Sequence, residues 1–329
     1  MSGTWGSFEI RGTLAATPAG SVYRASYLPT GQSARLYALQ PGSAASAEEF
    51  YRRRQLAAVI GRHPRAWAWL ESGAYDGTEY YGVAEPGGET LASYLGLTSE
   101  VSIDDLPGET LVRSPAGLRS GRASAWRIRA WMSDLASVVA YAHEHGLVIG
   151  CLSPYNIWIC PDGSAMLMDA AGKTLAEEPA PDDAAAYLAP EQLMGRSVGP
   201  AADIYALGAL LYWMLGGAFP AARRHDAARI GRYLPLPPLE PGLDPSLRSI
   251  CETATALRPS ARFRTAELLR AALLQTPDDL AAANARVSHA ARSTLIRGFM
   301  VGETDLPVAV STARPTVRIL RWLQDLLFE

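Results

Sequence analysis

The span Ile204–Ala222 constrains this chain most, because it carries no charged residue over about the length of a membrane helix. Gly216, Gly217 and Pro220 interrupt it and leave roughly twelve strongly apolar residues, the length of a buried core helix. The chain must therefore supply enough other structure to enclose that helix. With 329 residues, 48% of them hydrophobic and 19% charged, it has the material for one large globular domain plus an appendage.

Charge and cysteine usage exclude several function classes. The formal net charge is −3 and no basic stretch stands out, so a nucleic-acid partner has no electrostatic support. Cys151, Cys160 and Cys251 show neither a paired framework nor metal-ligand spacing. Met1–Ile10 lacks the basic-then-apolar pattern of a signal peptide. Together these give the expectation of a cytoplasmic protein with no transmembrane segment. Of the 30 Lys and Arg, only Lys173 is lysine, and an arginine fork does not replace a lysine point charge.

Along the chain, short strand-like segments carry Phe8, Ile10, Val22, Tyr23, Leu36 and Leu39, divided by Pro18–Gly20 and Pro29–Gly31. Ser46 and Glu49 read as a capping box opening a helix through Phe50 and Leu56 to Ile60. Further strands are expected over Ala66–Leu70 and Tyr80–Ala84, then a break at Pro86–Gly88. Residues 97–124 are polar and turn-rich and read as an insertion. Trp126–His145 is a strong helix with Ile128, Trp131, Met132, Leu135, Val138, Val139 and Ala142 on one stripe, closed by Gly146. Two strands are expected around Val148–Ile159 and Ala165–Met168, joined at Pro161-Asp162-Gly163, and helices over Ala202–Leu215, Pro245–Leu257 and Thr265–Leu274.

From about Phe8 to Leu274 this pattern resembles a eukaryotic-like, bacterial-type serine/threonine protein kinase domain. Tyr187-Leu188-Ala189-Pro190-Glu191 is similar to the Ala-Pro-Glu end of an activation segment. Asp203-Ile204-Tyr205-Ala206-Leu207-Gly208 is similar to the start of the long buried helix, and Arg262-Phe263 to the late arginine that pairs with the Ala-Pro-Glu glutamate. His143–Gly146 with Leu152, Pro154, Asn156 and Ile157 resembles the run through the catalytic loop. The resemblance implies an α+β, bilobal fold: a β-rich N-lobe over 5–86, a helical C-lobe over 87–275, and a helical tail over 276–329. It also implies structural roles for Asp203 and for a buried Glu191–Arg262 pair.

The chemical positions depart from that family. Gln40 stands where the strand lysine is expected, Arg54 where the helix glutamate is expected, and Cys151 and Ser153 replace the catalytic-loop aspartate and lysine. Only Gly20 remains of three glycines over the phosphates, and Pro18 removes an amide donor. Two metal-ligand positions persist, Asn156 and Asp169. They support either a residual magnesium or nucleotide site, or an asparagine bonded to its own loop and an aspartate capping a turn.

Thr276-Pro277-Asp278-Asp279 starts another helix. The end, Thr316–Glu329, is amphipathic, with Ile319, Trp322, Leu323, Leu326 and Leu327 on one face, as candidates for docking a protein partner or for packing back on the domain. The expectation from these residues is a pseudokinase: not an enzyme, but a regulatory or scaffolding protein-binding module with no firm cofactor and only weak ATP and magnesium. The alternative is a nucleotide sensor, or an enzyme of altered phosphate transfer using Asp169 and Asn156.

Overall fold

The computed structural model describes residues 3–17, 20–39, 44–95, 111–112, 123–168, 186–216, 219–220, 236–239 and 242–275. All lie in one compact unit, Met1–Pro277. Gln40, Asp169, Lys173 and the tail residues Ile319, Trp322, Leu323, Leu326 and Leu327 fall outside them.

The chain opens with strands β1 (Thr4–Trp5), β2 (Phe8–Thr17), β3 (Gly20–Tyr27) and β4 (Gln32–Leu39), then helix α1 (Ala44–Ile60) and strands β5 (Trp69–Tyr75) and β6 (Thr78–Ala84). These strands form a six-stranded sheet in the order β1-β2-β3-β4-β6-β5, antiparallel at every pairing. Its two faces bury different side chains because strand residues alternate. Leu36 and Ala38 join Phe8, Ile10 and Tyr23 on one side, whereas Val22, Tyr37 and Leu39 face the other lobe.

A link, Glu85–Gly88, leads to β7 (Glu89–Thr90) and α2 (Leu91–Tyr94), and the two-residue strand β8 (Leu111–Val112) follows. The long helix α3 (Ala125–Glu144) buries all seven residues of its expected stripe, and Gly146 ends it at φ +72°. Only Ile157–Ile159 of the expected Val148–Ile159 segment is strand (β9), and β10 (Ala165–Leu167) pairs with it. The loop before β9 is held by side chains instead. Then come α4 (Pro190–Leu193), α5 (Pro200–Met214), β11 (Phe219–Pro220), α6 (Pro245–Ala254), a short turn of 3₁₀ helix and α7 (Ala266–Leu274).

Helix α5 answers the question posed by its sequence. Every residue from Ala202 to Met214 is buried inside the helical lobe. Its contact with α6 is so close at Gly208 that a Cβ there would lie 2.6 Å from the Ala254 Cβ. No helix among the described residues is long and apolar enough to cross a membrane.

The start of α1 differs from the expected capping box. The helix begins at Ala44, so Ser46 lies inside it, and Glu49 takes the guanidinium groups of Arg52 and Arg53. Three charge-assisted bonds within the helix hold this glutamate.

Candidate functional site

The loop Val148–Asn156 sits where the two lobes meet, and buried polar groups fix it from the helical side. Asp203, in the first turn of α5, is fully buried. It accepts the Ile149 N–H at 2.9 Å, the Gly150 N–H at 2.7 Å and His143 Nε2 at 2.8 Å. The Gln192 amide donates to the Gly150 carbonyl at 2.8 Å, and its Oε1 accepts the Ala189 N–H at 3.0 Å. Gly150 has φ +76°, a left-handed turn that suits glycine. The buried carboxylate is matched by three donors, which is what a buried charge requires.

A second brace lies one turn away. The Arg262 guanidinium meets Glu191 in a bidentate pair at 2.7 and 2.9 Å. It also donates to the carbonyls of Ala201, Ala256 and Leu257 and lies 4.9 Å from the Tyr205 ring centroid. Burial alone would raise the Glu191 pKa, but the Arg262 hydrogen bonds and charge outweigh it and hold the carboxyl below its ordinary value.

Asn156 is almost fully buried. Its Nδ2 donates to the Cys151 carbonyl at 2.6 Å and its Oδ1 accepts the Ser153 N–H at 2.9 Å. The carboxamide thus shapes the loop that carries Cys151 and Ser153. A metal-holding role with Asp169 requires the second lone pair of that Oδ1, and Asp169 lies outside the described residues. Cys151 is half-buried. Among the described residues no three His, Cys, Asp or Glu side chains gather as a metal cluster.

On the cleft side the structure separates the neighbouring arginines of α1. Arg54 points outward, paired with Glu79 at 2.7 Å and a third exposed. The inward arginine is Arg53, at 3% exposure, bonded to Glu49 at 2.6 Å. It stands on the helix face between Phe50 and Ala57, both buried. On β4 the residue packed toward the cleft at the strand's end is Leu39. Gln40, the next residue, lies outside the described residues. Arg52 and Arg53 line an open cavity of about 470 Å³ with Leu147, Ile149, Gly150 and Cys151.

The cleft itself is aromatic. Ala15, Val22, Tyr37, Phe50, Trp67 and Tyr81 from the sheet lobe form one cluster with Trp158 and Met168 from the helical lobe. Tyr81 stacks on Tyr37 and on Trp69, with centroids 5.0 and 5.7 Å apart. Trp158 and Trp67 meet edge to face at 5.1 Å. Sequence reasoning missed Arg53, Gln192, Trp67 and Trp158. The run Ile157-Trp158-Ile159 reads only as an apolar strand, and nothing in it marks Trp158 as reaching the link.

The model of the protein kinase domain matches residues 104–273, just over half of the chain. The chain belongs to that family. Serine/threonine-protein kinase PknA of Mycobacterium tuberculosis is 30% identical over 187 residues, which cover 54% of this chain and 43% of the relative. Serine/threonine-protein kinase PknB of Mycolicibacterium smegmatis is 29% identical over 165 residues, covering 45% and 26%. The chain therefore spans less than half the length of these curated relatives. The crystal structure of the Mycobacterium tuberculosis PknI kinase domain superposes with a TM-score of 0.56 at 22% identity, over 83% of this chain and 97% of that one.

These findings confirm the two-lobed kinase fold and overturn the expectation that the chain is not an enzyme. The matched family is that of protein kinase domains, and the relatives are named as serine/threonine kinases. The physical reason lies in how that expectation was reached. It rested on single residues at the chemical positions, whereas the match to the family extends over residues 104–273.

Proposed function

We propose that this kinase-family chain works as a regulatory, protein-binding module in the cytoplasm, whose cleft handles nucleotide through an altered residue set. The helical lobe and the segment after Gln275 engage a protein partner. ATP with magnesium is held weakly, by Asn156 and Asp169. The carrying observation is the loop Val148–Asn156, pinned from the helical side by Asp203 and Gln192. A loop ordered from the helical side presents a constant surface to a partner, and binding then carries a smaller ordering cost.

Family membership favours a second reading, phosphate transfer from ATP to a serine or threonine of that partner. In this chain such transfer would proceed without a strand lysine in the usual place, and the inward cation of the α1 face is Arg53.

Thermal melting with and without ATP and magnesium, repeated in Asp169→Ala, tests the nucleotide part, because a bound ligand raises stability by RT ln(1+[L]/Kd). A saturable rise that Asp169→Ala abolishes is expected. No rise at millimolar ATP would sink this part. Transfer of labelled γ-phosphate to a captured partner, lost in Asp169→Ala, would establish the second reading.

A further inference from the structure

The geometry points to Trp158 as the resident occupant of the inter-lobe cleft and the gate that decides whether a flat nitrogen heteroaromatic ring enters. Trp158 lies on β9 opposite Thr90 of β7, at the exit of the link between lobes. Its indole N–H donates to the Gly87 carbonyl at 3.1 Å, so the side chain ties the helical lobe to the link. Gly88 is shaped around this contact. Its φ is +133°, and a Cβ there would lie 2.2 Å from the Ile159 carbonyl oxygen and 2.7 Å from the indole nitrogen. Arg35, held by Glu85 of the same link at 2.8 Å, places its guanidinium 5.1 and 5.9 Å from the Trp67 and Trp158 ring centroids.

One atom in this cluster is left over. Trp67 is 2% exposed, and its Nε1–H has no hydrogen-bond acceptor among the described residues. A buried donor without an acceptor is destabilising, and native proteins rarely leave one. When Trp158 swings aside, the cleft offers what a purine-like ring needs: the Gly87 carbonyl, freed to accept from an exocyclic amine, and the Trp67 N–H, ready to donate to a ring nitrogen. Arg35 supplies a cation over the ring face. The closed state therefore keeps affinity low by the fraction of time Trp158 is in place.

This inference rests on the reading that nucleotide enters between the lobes, and adenosine separates the two. It carries no phosphate and recruits no metal, so the outcome is independent of Asn156 and Asp169. Calorimetry should show Trp158→Leu binding adenosine at least about tenfold more tightly than the unaltered protein, as expected when the open state is a tenth or less of the population. Adding Trp67→Phe should abolish most of that gain. Equal affinities in the unaltered protein and Trp158→Leu, or no binding to either, would overturn the gate. A gain that survives Trp67→Phe would overturn the role of the orphaned donor.

An independent reading needs no folded leucine variant. The indole N–H resonance that disappears in Trp158→Phe belongs to Trp158, and adenosine should shift or broaden it. Adenosine binding that leaves this resonance in place would refute the gate.

Discussion

The loop Val148–Asn156 and the cleft beside it are held by opposite means. Below the loop, buried charge is matched donor for acceptor: Asp203 with three donors and Glu191 with Arg262. In the cleft, aromatic rings fill the space, the buried Trp67 Nε1–H has no acceptor among the described residues, and Arg53 is the inward arginine of α1. Buried polar networks are costly to disturb by halves, so they persist as a unit. Apolar packing tolerates exchange of side chains when volume is kept.

The sharpest way to break this comparison is to halve a brace. Arg262→Ala leaves a buried carboxylate unmatched and should cost about 3–5 kcal/mol in urea denaturation; a loss below about 1 kcal/mol would mean that the pair is ornamental. Asp203→Ala strips acceptors from Ile149, Gly150 and His143, and should cost about 3 kcal/mol, with faster exchange of both loop amides.

The sheet lobe offers a contrast by packing alone. A Cβ at Gly82 would approach the Phe8 ring to 2.1 Å. Gly82→Ala should therefore lower stability by about 1–3 kcal/mol through overpacking, measured by the same denaturation. Arg54→Ala, which removes a partly exposed pair with Glu79, should change stability by less than about 1 kcal/mol.

Acid sharpens the contrast. Glu191 is held below its ordinary pKa, so its contribution is full above the ordinary carboxylate range and is lost as pH falls through the lower folded value. Arg262→Ala removes the main cause, so stability in that variant should depend less on pH across this acid range. An unchanged slope would assign the acid sensitivity elsewhere.

Sequence and structure agree where the signal is a period or a buried pair. The α3 stripe, the α5 run, and Asp203, Glu191 and Arg262 all stand as their residue types imply, because burial of an apolar face or a matched charge leaves few alternatives. The cleft was less legible. Strand faces exchange with every single residue, and one helix position separates the buried Arg53 from the outward Arg54. Ser46 and Glu49 carry a capping signature, yet nearby arginines claim the glutamate. Trp158 looks like core in sequence, and only the path of the link past Gly87 and Gly88 gives its N–H a partner.

The most direct measurement is native-state hydrogen exchange at the amides of Ile149 and Gly150, with and without ATP and magnesium. If the helical lobe orders this loop by itself, both amides exchange only through global unfolding, at free energies that nucleotide leaves unchanged apart from its effect on overall stability. Fast exchange of these two amides without nucleotide, and protection of them specifically by ATP, would contradict the account.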